Sequence, residues 1–227
     1  MASSRERLVV YTSVIGDRDR LRTDQEWGNA VWDAFVEKEN CYTPARWQAK
    51  ASYDKFVSDR RNSRAPKILA HQFVNADYSI WLDGNIALKV DPQVLVDEWL
   101  KDTDIAVFRH PERKCVYDEA TVCAVHRLDD VEAIIEQAKK YEDAGYGKNR
   151  GLAECNVIVR RHTSKVARFN ESWWAEWCRG CVRDQISFPY ALDQVGLTCN
   201  FITPSARAGH PYFDWKPHGN GDNGAKE

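Results

Sequence analysis

The chain has 227 residues, 43% of them hydrophobic with nine tryptophans, enough apolar length to bury a sizeable core and too much for a disordered segment. Its 32 Lys and Arg nearly balance 34 Asp and Glu, leaving a net charge of -2, so no global field points to nucleic acid or an anionic membrane and any anion site must be local. The first residues lack a signal peptide's apolar core, no apolar run reaches the roughly 20 residues of a membrane span, and seven scattered cysteines fit reduced thiols, so the expectation is a single-domain cytoplasmic protein.

In chain order, the β-branched run from Leu8 to Ile15 predicts a first strand that stops at Gly16-Asp17. Arg18, Arg20 and Arg22 crowd just past its end, where ligands of an open α/β sheet bind; a solvated charged loop is the alternative. Between Asp24 and Glu39, Trp27, Ala30, Val31, Ala34 and Phe35 recur at helical spacing and predict a helix, and a second is expected over Ala45 to Arg61 beyond Pro44. Pro66 can open another helix, on which Arg64, Lys67 and His71 fall at i, i+3 and i+7. Three cations on one face suit a diphosphate, although a solvated basic face is the bland reading.

Tyr78 to Leu82 is a short buried strand delivering Asp83 to a sheet edge. Side chains two apart on an extended chain point the same way, so Asp83 and Asn85 can both offer oxygen to one hard cation, with Gly84 allowing close approach. The alternative is a strand ending in a D-G-N turn, which uses the same residue types. Asp91-Pro92 then opens a helix through Leu100, Ile105 to Phe108 is a strand ending in Arg109-His110-Pro111-Glu112-Arg113, and Asp129-Asp130 cap a helix ended by Gly145. A glycine-rich loop precedes the strand Glu154 to Arg160; Thr163 to Cys181 is helical, and its Cys178-x-x-Cys181 reads as core packing more than redox or zinc. Arg183-Asp184-Gln185 opens the helix of Phe188 and Tyr190, and a strand from Leu197 to Ile202 leads to the tail His210 to Asn220.

Several of these pieces, taken in order, resemble one family. They are Tyr11-Thr12 with Gly16, Arg64-x-x-Lys67-x-x-x-His71, Tyr78-Ser79-Ile80-Trp81-Leu82-Asp83-Gly84-Asn85-Ile86, Arg109-His110-Pro111-x-Arg113 and Tyr117-Asp118-Glu119-Ala120. Gly151-Leu152-x-Glu154-x-Asn156-x-Ile158-x-Arg160, the Trp173-Trp174 pair and Arg183-Asp184-Gln185-x-Ser187-Phe188 complete the match. The chain is similar to the DUF616 family, glycosyltransferase-like proteins that resemble GT-A transferases.

That resemblance implies an α/β fold, a mostly parallel central sheet flanked by helices, and a metal motif, D-x-D, after a central strand. It further implies a hexosyltransferase-like enzyme moving a sugar from a nucleoside diphosphate donor, a UDP sugar in this reading, to an acceptor hydroxyl, with retention of configuration. On the matching positions, Tyr11 and Thr12 would receive the base; Arg64, Lys67, His71 and Lys216 would hold the donor phosphates; Asp83, Asn85 and His218 would ligate manganese or magnesium. Asp184 and Gln185 would face the donor sugar, and Glu154 would orient the acceptor hydroxyl. His110, Arg113, Glu119, Asn156 and Trp174 would lie on the acceptor side, with a glycan as the expected acceptor and nucleic acid not indicated. Asn85 departs from D-x-D and leaves the ion weaker or held mainly by Asp83 and another ligand. Residues 203–218 are a candidate lid, and 1–6 and 219–227 are expected to be flexible. A non-catalytic nucleotide or sugar binder remains open. So does a metal-dependent hydrolase using Asp83, His110, Asp118, Glu119 and His218, which no close H-x-H or HExxH pairing supports.

Overall fold

A computed structural model describes residues 6–16, 19–37 and 44–217. Its strands are β1 (Leu8–Val14), β2 (Val31–Val36), β3 (Gln48–Ala51), β4 (Tyr78–Leu82), β5 (Ile86–Leu88), β6 (Ile105–Arg109), β7 (Ala153–Arg161), β8 (Asn200–Ile202) and β9 (Phe213–Trp215). The helices are α1 (Asp59–Ile68), α2 (Ala70–Phe73), α3 (Pro92–Trp99), α4 (Val116–Val125), α5 (Val131–Asp143), α6 (Ser164–Arg179) and α7 (Asp184–Val195). Seven strands form one sheet in the order β3-β2-β1-β4-β7-β6-β8. All neighbours pair in parallel except β7, which runs antiparallel to β4 and β6. This is the mostly parallel, helix-flanked GT-A-like sheet that the resemblance implies.

Side chains alternate across each strand, and that alternation divides the core. Val10, Ile80, Leu82 and Val159 face α3, meeting Leu95 and Trp99. Val9, Trp81, Val107 and Ile158 face the other way, onto Phe169, Trp173 and Trp177 of α6 and Phe188 of α7. Phe169 and Phe188 are fully buried, which contributes about 1.5–3 kcal/mol each. A third cluster joins Cys123 of α4, Ile134 and Tyr141 of α5 and Tyr190 of α7, with Tyr141 stacked on Tyr190 at 3.8 Å.

The helix starts follow local chemistry. Asp91 accepts from the Gln93 amide with Pro92 in the first turn, and Asp130 and Thr163 cap α5 and α6 in the same way. Cys181 packs in the third cluster, and burial pushes its thiol up to about 11, so it makes a poor thiolate. Among the described residues no helix is long and apolar enough to cross a membrane.

Two expected helices are strands. Val31 to Val36 forms β2, paired in parallel with β1, and Trp27 instead packs edge-on against Trp32 and Trp47. A parallel strand covered on both faces reads as a near-continuous apolar run, and its spacing then mimics a helical stripe. The second, over 45–61, is β3 and loop up to the Ser58 cap of α1; β3 is a largely exposed edge strand whose polar composition resembles a helix surface. Pro66 also lies inside α1 rather than opening a helix, and the backbone breaks at Leu69 before α2 resumes. The tail is strand-paired, β9 running antiparallel to β5 with Ala87 opposite Asp214.

Candidate active site

Because β1 and β4 run in parallel, their carboxyl ends reach the same sheet edge, and the reversed β7 brings its amino end there. A cleft of about 350 Å³ opens at this edge. Its floor is Ser13 to Gly16 at the carboxyl end of β1, Asp83 after β4 and Glu154 to Asn156 of β7; its walls are Arg60, Arg64 and Lys67 of α1 and Arg183 to Gln185 at the start of α7. Gly16 turns the chain in the left-handed region (φ 69°) beside Asp59. A β-carbon on Gly84 would be crowded, standing 3.0 Å from the Val14 side chain and 3.2 Å from that of Asp19.

An ion cluster sits at the centre. Lys67, whose side chain is only 1% exposed, donates to Asp184 Oδ2 at 2.6 Å and to Asp83 Oδ1 at 3.2 Å. Trp81 Nε1 donates to the same Asp83 oxygen at 2.7 Å, and the ammonium stands 5.6 Å from the Trp81 ring. Burial by itself would raise the Asp184 carboxyl, but Lys67, Arg64 and Arg183 outweigh it and hold it well below the ordinary carboxylate range.

Around this cluster lie buried polar atoms without a partner. They include Nε of Arg183, Oε2 of Glu154, both amide atoms of Asn156 and Oε1 of Gln185, while Nε of Arg64 has only a long ion pair to Asp184 at 3.5 Å. Buried polar groups are usually satisfied, so such a concentration in a cleft marks a place for a polar ligand. Burial, with Arg64 and Arg183 nearby, also pulls the Arg60 guanidinium down from its ordinary value. Cations this crowded favour an anion between them. Glu154 pairs through Oε1 with Arg207 Nε at 3.0 Å, and burial pushes its carboxyl up against the pull of that guanidinium.

The structure thus gathers Arg64, Lys67, Asp83, Glu154, Asn156, Asp184 and Gln185 around one cleft. Other expected residues are elsewhere. Tyr11 is fully buried, its hydroxyl accepting from Arg160 at 3.0 Å, and Thr12 is buried beside it; the cleft begins one residue later, at Ser13. The break at Leu69 turns His71 away from Arg64 and Lys67, toward Asn170 (3.2 Å) and Glu171 (3.5 Å) of α6. Trp174 stacks on Trp177 at 5.2 Å, near Tyr53 and Phe56, in the apolar layer rather than the cleft. His110, Arg113 and Glu119 form a buttress instead of a cleft wall. Arg113 Nε donates to Glu119 at 2.6 Å, His110 Nδ1 accepts from the Arg113 amide, and Glu119 reaches Arg183 at 3.8 Å. Lys216 is exposed, with its carbonyl accepting from Asn85. Arg22 pairs with Asp24 and Asp214 rather than awaiting a nucleotide; Arg18 and His218 lie outside the described residues.

The implied metal pair does not fit. Asp83-Gly84-Asn85 is a tight turn, closed by the Ile86 amide donating to the Asp83 carbonyl at 3.0 Å. It sends the Asn85 side chain away from the cleft, where Nδ2 donates to the Lys216 carbonyl at 2.7 Å, while the Asn85 carbonyl accepts from Arg22. Asp83 meanwhile commits Oδ1 to Lys67 and Trp81. The two side chains therefore do not converge on one ion. Among the described residues no three His, Cys, Asp or Glu side chains gather closely enough to hold a metal, and the set Asp83, His110, Asp118 and Glu119 is no exception.

Three cleft residues carried no sequence signal of their own. Arg60 stands one turn before Arg64, a spacing that marks it in hindsight. Asp19 follows a stretch that reads as loop, and Arg207 sits in a 3-10 turn at Ala206–Ala208 that only the tail's return to β5 brings over Glu154.

The profile of the TOD1/MUCI70 glycosyltransferase-like domain matches residues 47–203. The probable hexosyltransferase MUCI70 of Arabidopsis thaliana is 32% identical over 167 residues, covering 68% of this chain and 29% of that protein. The alkaline ceramidase TOD1 of Arabidopsis thaliana is 26% identical over 224 residues, covering 83% of this chain and 48% of that protein. The chain thus spans less than half the length of either relative. Among solved structures, mouse xyloside xylosyltransferase 1 aligns with 87% of this chain and 84% of its own at 8% identity and a TM-score of 0.45. The galactosyltransferase LgtC, in complex with donor and acceptor sugar analogues, aligns with 85% of this chain and 72% of its own at 9% identity and a TM-score of 0.46.

Proposed function

The chain belongs to the TOD1/MUCI70 glycosyltransferase-like family, and from that premise we propose that its cleft binds a nucleoside diphosphate sugar, a UDP sugar in our reading, and transfers the sugar to an acceptor hydroxyl. The observation that carries this reading is the set of guanidinium groups of Arg60, Arg64 and Arg183 at a sheet edge, the last with a buried Nε that makes no hydrogen bond, facing the buried Asp184, the partly exposed Asp83 and the Lys67 ammonium. Arg60, Arg64 and Arg183 receive the diphosphate. Planar forks match phosphate oxygens two at a time, and they stabilise the charge that develops on the leaving diphosphate more than they stabilise the bound donor. One such donor is worth about 3 to 4 kcal/mol in the barrier.

The free carbonyl oxygen of Gln185 and the Asp184 carboxylate lie beside that site and oppose positive charge developing on the sugar. Glu154, held by Arg207 through one oxygen, keeps the other for a sugar or acceptor hydroxyl, and Asn156 offers both a donor and an acceptor. In this reading the acceptor is a glycan and the configuration is retained. No step is assigned to a divalent ion, since the expected ligand pair diverges.

Calorimetric titration of UDP, GDP and ADP into the wild type and Arg64→Ala tests the donor site. Binding by the wild type that weakens in the variant supports it; a folded protein that takes up no nucleotide refutes it. Turnover of a UDP sugar with NMR of the product's anomeric centre then tests retention. One relative carries the name of a ceramidase, so amide hydrolysis without any sugar donor is the competing outcome, and it would move the assignment to a hydrolase.

A further inference from the structure

We propose that the Lys67 ammonium is the resident counter-cation of the cleft, so that this chain binds its nucleoside diphosphate without a divalent metal. The inference rests on the reading of the cleft as a nucleoside diphosphate site and adds to it which charge does the work that the D-x-D motif implies for an ion. Three observations carry it.

The first is position. Lys67 stands between Asp83 and Asp184, the two carboxylates at the centre of the cleft, and bonds both. It is held there by α1, by 1% side-chain exposure and by the face of Trp81. A divalent ion drawn to the same carboxylates would have to sit beside a fixed positive charge, and like charges at contact distance repel strongly in so enclosed a site.

The second is ligand supply. Asp83 Oδ1 already accepts from both Lys67 and Trp81, and Asn85, the second member of the expected pair, is pinned to the Lys216 carbonyl. The missing carboxylate at position 85 removes a negative charge that a metal would have neutralised. What remains, the two negative charges of Asp83 and Asp184, is met by two cations of the chain itself, Lys67 bonded to both and Arg64 at 3.5 Å from Asp184.

The third is the surplus of protein cations facing the cleft. Arg60 makes one described side-chain hydrogen bond, a long one of 3.4 Å to the Leu128 carbonyl. Arg64 reaches Asp184 only through a long Nε contact of 3.5 Å, and Arg183 reaches Glu119 through Nη2 at 3.8 Å while its buried Nε makes no hydrogen bond. These forks neutralise diphosphate oxygens directly, a task for which hard-cation sites rely on the ion. Lys67 then keeps Asp83 and Asp184 from repelling the incoming anion.

UDP is the probe, titrated calorimetrically into the wild-type protein in excess EDTA and, separately, in excess manganese, with the electron paramagnetic resonance of manganese followed in parallel. The expected result is the same UDP affinity in both, within about twofold, and a manganese spectrum with the protein and UDP no different from that with UDP alone. Lys67→Met is expected to weaken UDP binding in EDTA by tenfold or more, and Lys67→Arg to retain most of it. Thermal melts identify a Lys67→Met protein that fails to fold, and the wild-type chelator comparison decides the question without it. UDP binding that requires manganese overturns this inference and leaves the donor-site reading standing. No UDP binding with or without manganese overturns both.

Discussion

Replacing Asp184 by asparagine removes a charge, and almost no volume, from the most enclosed ion cluster of the protein. Lys67 would keep Asp83 at 3.2 Å but lose its 2.6 Å partner, and Arg64 would lose its carboxylate at 3.5 Å. Breaking a buried ion pair from one side costs about 3–5 kcal/mol, and the retained Asp83 contact places Asp184→Asn near the lower figure, about 3 kcal/mol. For a chain of this length that is a fall of roughly 6–12 °C in Tm. Urea unfolding of Asp184→Asn, Lys67→Met and the double variant measures both the cost and the coupling. Once Asp184 is neutral, losing Lys67 leaves less charge stranded, so the double variant should lose about 2 kcal/mol less than the sum of the singles. The pH response has a fixed sign. The folded carboxyl is depressed, so its contribution is complete above the unfolded value near 4 and is lost as pH falls below it. Asp184→Asn should lack that acid-side loss. A cost under about 1 kcal/mol, or additivity within about 0.5 kcal/mol, would refute the account of Lys67 and Asp184 as a coupled buried pair.

Burial, helped by Arg160 and His71, holds His162 neutral down to about pH 4 from its ordinary 6.5. The unfolded chain binds that proton first, so stability should fall by up to about 3 kcal/mol as pH drops through this window. His162→Gln should flatten the slope, and an unchanged slope in urea unfolding would count against the assignment. Gly180→Ala places a β-carbon 2.2 Å from Gln137, which is buried and bonds the Tyr141 hydroxyl and the Cys181 amide; a loss of about 2 kcal/mol is expected in urea unfolding, and wild-type stability would show that Gln137 moves freely. Trp174→Ala should lower stability by less than the roughly 3–5 kcal/mol of a fully buried tryptophan, since the ring packs against Trp177, Tyr53 and Phe56 but is only partly buried. Its UDP affinity by calorimetry should match the wild type, and a selective loss of binding would return Trp174 to the cleft.

The sequence by itself located the strands that build the cleft. Runs of β-branched and aromatic residues at Leu8 to Val14 and Tyr78 to Leu82 can bury both faces only as central strands, and Asp91-Pro92, Asp130 and Thr163 start helices by chemistry confined to a few neighbouring residues. Asp83 at a strand end and Arg64 three residues before Lys67 were legible for the same reason: strand ends and helix faces are set by local spacing. Direction beyond that spacing was not local. Whether Asn85 follows Asp83 into the cleft depends on the turn that joins β4 to β5 and on the Lys216 carbonyl, 131 residues away, that holds its amide. The fate of Tyr11 depends on which face of β1 receives α6, and that of His71 on a backbone break after Pro66. The stripe that suggested a helix at Trp27 to Phe35 became β2 because β1 offered it a ladder, and parallel pairing outweighs a weak periodicity. Arg207 meets Glu154 only because the tail returns to pair with β5. Tertiary structure decided each of these, because every one turns on a partner far away in the chain and no local pattern encodes which distant partner arrives.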